Sequence, residues 1–187
     1  MWIDLRADVH RYPSIRLALS APGFWAVAMY RVQRGLLRLP KPLRVPLRIL
    51  LAPLAFFVQV ASGAQIPPAT KIGPGLYIGH FGCIIVSGAA VIGERCNLSQ
   101  GVTIGRGVKG GVAGVPVIGD RVYIAPGAKI FGPITVGSDS AIGANAVVND
   151  DVPSGVSVAG IPARVVSEKG SRGLLDLQPP PPQRIAG

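Results

Sequence analysis

The chain has 187 residues, enough for one hydrophobic core and a small appended piece; 49% of them are hydrophobic, 15% are charged, and the net charge is +10. Its 25 glycines and 18 prolines alternate with Ile and Val rather than with polar residues, which argues against disorder and for many short strands and corners. The basic excess is N-terminal: residues 1–66 hold nine Lys or Arg against two acids, and the remainder holds ten against seven.

Asp4 and Asp8 interrupt the N-terminus before any apolar run, so no signal peptide is read. Residues 1–65 read as a basic, amphipathic helical region. Between Gly23 and Leu39, Trp25, Met29, Val32 and Leu36 recur at helical spacing, with Arg31, Arg34 and Arg38 on another, solvated face. Pro40, Pro42 and Pro46 should end that helix, and a second should run from near Pro46 toward Ala61 with Arg44 and Arg48 at its entrance. Ile49–Gln65 is uncharged, but Pro53, Gln59 and a length slightly short of the ~20 apolar residues of a span weigh against a transmembrane helix. Packing on the repeat domain or on a neighbouring subunit is favoured for the apolar area, with the basic face left to touch membrane headgroups.

From 66 to 166 an aliphatic residue returns every sixth position. Ile66, Ile72, Ile78 and Ile84 are in step; Val86, Ile92, Leu98 and Ile104 follow two residues displaced; Ile118, Ile124, Ile130, Val136, Ile142 and Val148 complete the series. Each such hexad makes one short strand and a corner that buries its apolar side only by stacking on neighbours. The glycine-rich Arg106–Val115 breaks the period and reads as a protruding, irregular loop. Small residues at the fifth hexad position, Ala90, Cys96, Ala128, Ser140 and Ala146, should share the interior, which makes Cys96 a core residue rather than a nucleophile. Residues 167–187, with Pro179–Pro182, read as a flexible Pro-rich tail.

Cys83 and Cys96 lack metal-ligand spacing and make no disulfide framework, so a reducing cytosol is the simplest setting. A catalytic zinc held by three histidines is disfavoured, because only His10 and His80 exist and His10 lies outside the repeat; no metal is expected. The arginines lie among large apolar residues without a nucleic-acid reader motif, and no nucleic acid is expected.

Ile78-Gly-His-Phe-Gly82, Ala90-Val-Ile-Gly-Glu94, Ser99-Gln-Gly-Val-Thr-Ile-Gly105 and the closing Ala159-Gly-Ile-Pro-Ala-Arg164 occur in one order over a little more than half the chain. In these the region from Gln65 to Val166 resembles hexapeptide-repeat acyltransferases, in particular their serine acetyltransferase branch. The resemblance implies a mainly β fold, a left-handed parallel β-helix of three hexads per coil behind a short helical lead. It also implies a homotrimer with active sites between subunits and acetyl-CoA as donor. The short helical lead looks more like serine-acetyltransferase-like proteins of exopolysaccharide or surface-glycan synthesis.

By the resemblance the catalytic histidine falls on His80. The family's acids fall on Gly79 and Gln65, the candidate acceptor-side positions; its second histidine falls near Val115, and the arginine before it on Gly114. Those losses remove the partners of an amino acid's ammonium and carboxylate groups. Donor contacts fall on Gly105, Ala125, Pro126, Ala144 and Gly160, with Lys109, Lys129 and Arg164 as candidate phosphate partners.

The leading expectation is therefore a cytoplasmic acetyl-CoA-dependent O-acetyltransferase acting on a hydroxyl of a sugar, glycan intermediate or related small metabolite, His80 being general base. It could sit at the inner face of a membrane through residues 1–65. Two alternatives stay open: a serine O-acetyltransferase, and a catalytically inactive trimeric scaffold at a membrane surface. Cys83, three residues after His80, offers a ping-pong route, which the lack of a second base disfavours.

Overall fold

The computed structural model describes residues 2–175. Four helices lead: α1 (Trp2–Val9), α2 (Ile15–Ser20), α3 (Pro22–Leu36) and α4 (Lys41–Ser62). Ser14 caps α2 by accepting from Leu17 N–H, and Pro22 opens α3, where its missing N–H costs nothing. The second long helix starts five residues earlier than expected, because Pro42 falls in the first turn and Pro46 and Pro53 are accommodated inside it. Gly63, at φ +58, ends it in the left-handed conformation.

The chain then winds through three faces in turn. The first coil holds β1 (Ala64–Gln65) and β2 (Lys71–Ile72) and reaches the third face at Tyr77; the second holds β3 (Ile84–Val86), β4 (Val91–Ile92) and β5 (Asn97–Leu98). The next has β6 (Thr103–Gly105), a hairpin of β7 (Gly107–Lys109) and β8 (Val112–Gly114), then β9 (Val117–Ile118) and β10 (Tyr123–Ile124). A fourth turn comprises β11 (Lys129–Phe131), β12 (Thr135–Val136) and β13 (Ala141–Ile142), and the last β14 (Val147–Val148), a bridge at Val152 and β15 (Ser157–Gly160). β16 (Ala163–Ser167) folds back antiparallel on β15.

Successive coils pair in parallel, forming faces β1-β3-β6-β11-β14, β2-β4-β9-β12 and β5-β10-β13-β15, which is a parallel β-helix. Lys129 pairs with Val147 three hexads on, whereas Gln65 pairs with Ile85 and Thr103 with Lys129. The first coil thus carries two extra residues, at the corner holding His80–Cys83, and the third carries eight, in the hairpin. That hairpin corrects the reading of Arg106–Val115 as irregular: Gly110 and Gly111, at φ +56 and +80, make the two-residue turn that joins β7 to β8.

Ile78, Ile84, Ile104, Ile124, Ile130 and Ile142 are wholly buried inside the helix, and Ala90, Cys96, Ala128, Ser140 and Ala146 fill the narrow space between them. The fit is close enough at the helical lead that a Cβ on Gly23 of α3 would collide with Ile78.

α3 is turned differently from its apolar periodicity. Tyr30 and Arg31 are buried and Trp25 is exposed, so the solvated arginine face is a correction. Arg31 donates to both Asp8 carboxylate oxygens (2.8 and 3.0 Å) and to Ile72 O and Gly73 O, while Asp8 accepts from Gly75 and Leu76 N–H. A buried cation that meets a carboxylate and two backbone carbonyls is satisfied there, which hydropathy alone cannot register. Arg34 donates to Pro68 O and Ala69 O, and Tyr30 to Thr70 O. These bonds clamp α1 and α3 on the first coil.

The C-terminal segment is another correction. β16 is ordered, and Gly170 and Ser171 are buried, with Ser171 donating to Arg121 O. The Pro179–Pro182 run lies outside the described residues.

Candidate active site

One corner of the β-helix repeats in every coil. Gly82 N–H bonds Ser62 O, Gly101 N–H bonds Gly82 O, Gly127 N–H bonds Gln100 O, and Asn145 N–H bonds Pro126 O. Left-handed residues make the bend: Cys83, Gly101, Gly127 and Asn145 have φ of 52°, 72°, 74° and 54°. His80 lies on this corner in the first coil, exposed, with its imidazole in no hydrogen bond among the described residues. The two extra residues of that coil fall at this bend, where Phe81 is exposed. The N–H groups of His80 and Phe81 are left outside the corner ladder.

Beside His80 is a cavity of about 210 Å³ lined by Tyr77, Gly79, His80, Asn97, Leu98, Ser99, Tyr123 and Leu174. Tyr77, Asn97 and Tyr123 are in register on the third face, pointing outward. Asn97 is only 3% exposed, and its Oδ1 accepts from Arg11 Nη2 at 2.6 Å. A guanidinium only donates, so this bond fixes the carboxamide and turns its NH₂ away from Arg11. Tyr77 packs on Tyr12 (ring centroids 4.8 Å apart), whose hydroxyl donates to Ile78 O. Burial pushes the Tyr77 phenol up, with Arg11 pulling it back. Leu174 brings the C-terminal segment to the cavity's edge.

The candidate residues fall into three places. Gly79 lines the His80 cavity, and Gln65 is exposed on β1, on the neighbouring face. Ala125–Pro126 and Ala144 lie on the His80 corner in later coils, and Gly160, at φ +98, ends β15 where that corner would continue. Ala125 N–H is already given to Ile142 O, so a ligand meets only its carbonyl or methyl edge. Gly105 closes β6 at the far edge of the first face, opposite Phe131, whose ring fills the space a side chain would need. Lys129 Nζ is folded onto Gly101 O and Thr103 Oγ1, the latter at 3.2 Å. Lys109, on the hairpin, reaches Asp150 and Asp151 at 3.4 and 3.3 Å, and Arg164 is 3.8 Å from Asp150. The lysines and Arg164 therefore have internal partners that a phosphate would have to displace.

Burial pushes the Cys96 thiol up to about 11, consistent with its core role. Cys83 is exposed. His80 is the sole histidine, and the sole general base of ordinary strength, among the described residues lining the cavity.

The hexad reading passed over Tyr77, Asn97 and Tyr123. Each directly precedes an inward aliphatic residue, Ile78, Leu98 and Ile124. Counting the coils with their two insertions would have stacked them beside His80.

Hexad coils, a histidine on one corner and a hairpin in the third coil define a hexapeptide-repeat β-helix. The family model "Bacterial transferase hexapeptide (six repeats)" matches residues 116–150. Serine acetyltransferase of Mycobacterium tuberculosis is 35% identical over 174 residues, covering 88% of this chain and 71% of the relative. A solved serine acetyltransferase in complex with cysteine superposes with a TM-score of 0.72 at 36% identity, covering 88% of this chain and 63% of that one. Another, in complex with CoA, gives 0.70 at 35% identity, covering 88% and 67%. The chain belongs to the serine acetyltransferase branch of the hexapeptide-repeat acyltransferases, and its β-helix is the left-handed one of that family. It spans about two thirds of the length of these relatives.

Proposed function

We propose that the chain is an acetyl-CoA-dependent O-acetyltransferase in which His80 is the general base, working as a homotrimer with its sites between subunits. The observation that carries this is the place of exposed His80 on the corner shared with Ala125–Pro126 and Ala144, in a family with a solved CoA complex. The neutral imidazole takes the proton of the acceptor hydroxyl as its oxygen attacks the thioester carbonyl. The C–S bond then breaks, and the imidazolium returns its proton to the departing CoA thiolate. His80 and Phe81 N–H are the candidate donors to the oxyanion. A thiolate leaves readily, so no acyl-enzyme through Cys83 is required.

Serine is the acceptor that the names of the relatives support. The sugar or glycan hydroxyl expected from the sequence draws no support from those relatives. One observation keeps a neutral acceptor as a second reading: among the described residues no Asp, Glu, Lys or Arg lines the His80 cavity to pair with an ammonium or carboxylate group. Thiol release from acetyl-CoA across a panel of serine, homoserine, polyols and sugars separates the two. Turnover of serine with weak use of sugars supports the first, and the reverse pattern supports the second. No thiol release with any acceptor, together with no binding of CoA, would leave only a scaffold.

A further inference from the structure

We infer that α4 is a membrane-surface helix that seats this protein in-plane on an anionic lipid bilayer. Ile49, Leu50, Phe56, Phe57 and Val60 form one stripe at i, i+1, i+7, i+8 and i+11, each 64–76% exposed. Ala55, Val58 and Gln59, on the other side, meet α3 across a cleft with Ala26, Met29 and Gln33. The exposed stripe is therefore the face that neither α3 nor the β-helix covers.

Three features of α4 favour lipid as the occupant. Its cations, Lys41, Arg44 and Arg48, all lie in its first eight residues, and the helix contains no acid. Two parallel copies meeting through this helix would bring cation to cation, and two antiparallel ones would lay each cationic end on an uncharged one, whereas anionic headgroups match it and the long side chains can reach them. Two adjacent phenylalanines, Phe56 and Phe57, are exposed in the uncharged part of the helix, suited to the headgroup–acyl boundary.

Length and composition alone would also allow α4 to cross a membrane. Connectivity argues against it. At its C-terminal end α4 runs straight into β1, with Ser62 O and Gly63 O bonded to Gly82 and Ile84 N–H. At the other end, Leu37, Arg38 and Leu39 N–H bond Arg34, Gly35 and Leu36 O, a tight turn, and Arg34 itself is bonded to Pro68 O on the first coil. A span of ~30 Å would have to separate these two ends, and that turn cannot bridge it without tearing α3 from the coil. α4 thus lies along the surface.

The test is flotation of the full chain with phosphatidylcholine vesicles, with and without phosphatidylglycerol, free of other ligands. Co-flotation is expected with the anionic vesicles, falling with added salt. Phe56→Asp/Phe57→Asp should abolish it, and Arg44→Glu/Arg48→Glu should weaken it by roughly fivefold per residue neutralised or more. Ile49→Asp/Leu50→Asp is an independent disruption of the same stripe, and the circular dichroism of each variant reports whether it has folded. Failure of the native chain to float with anionic vesicles would overturn the inference. So would flotation of folded Phe56/Phe57 and Ile49/Leu50 variants at the native level. A fall in assembly mass in those variants, with no lipid binding by the native chain, would assign the stripe to a second copy and equally overturn it.

Discussion

Tyr77 occupies the space that a side chain at residue 79 would need: a Cβ on Gly79 would lie 2.8 Å from both Cε1 and the hydroxyl oxygen of the Tyr77 ring. Tyr12 packs against that ring, so it is not free to swing away. The position where the family resemblance places an acid is thus filled by a phenol from the same coil. Gly79→Asp should destabilise the chain by about 1–3 kcal/mol through overpacking. In a Tyr77→Ala background the same change should cost well under half as much. Urea denaturation of the four members of this cycle measures the coupling, and additive losses would show that the two positions do not compete.

The architecture was legible because a six-residue period survives in the sequence wherever the coil is regular, from Ile118 to Val148 above all. His80 was legible through the residues around it. What escaped notice depends on contacts between segments far apart in sequence. Arg31 looked solvated because nothing local reveals Asp8, Ile72 O and Gly73 O converging on it. Nothing local singles out Asn97 either: its place beside His80 follows from stacking the coils, and its bond from Arg11 spans 86 residues of sequence. The Arg106–Val115 hairpin was hidden for a different reason: its strands lack alternation, and only the Gly110–Gly111 turn signals it.

The Asp8–Arg31 pair ties the helical lead to the first coil from inside the core. Asp8→Ala leaves a buried guanidinium without its carboxylate, along with two backbone N–H groups, and should cost about 3–5 kcal/mol. Asp8→Ala combined with Arg31→Met should cost less than the sum of the two single changes. Denaturant unfolding followed by tryptophan fluorescence checks this; an Asp8→Ala loss below ~1 kcal/mol would contradict the clamp.

Arg121 holds the Asp139 carboxylate through Nε and Nη2 at 2.7 and 2.9 Å, which lowers the Asp139 pKa below its ordinary value. A depressed folded-state value means that the unfolded chain takes up this proton first. The pair's stabilisation is therefore full above the ordinary carboxylate value of about 3.9 and is lost as pH falls through the lower folded value. Both side chains are partly exposed, so the contribution is modest. Asp139→Asn keeps a residue that accepts the φ of 61° found there. Its thermal midpoint should lie below that of the native chain at pH 6, and the gap should narrow as pH falls below the ordinary carboxylate value of about 3.9. A gap constant across that range would remove the pair from the pH dependence.

The central claim is that His80 removes the acceptor's proton. The most direct measurement is thiol release from acetyl-CoA, with the best acceptor of the panel, by the native chain and by His80→Ala, alongside oligomer mass and CoA affinity for both. The account predicts a loss of roughly 10²–10⁴-fold in kcat with assembly and CoA binding intact. Turnover within a few fold of the native rate would contradict it and move the base elsewhere.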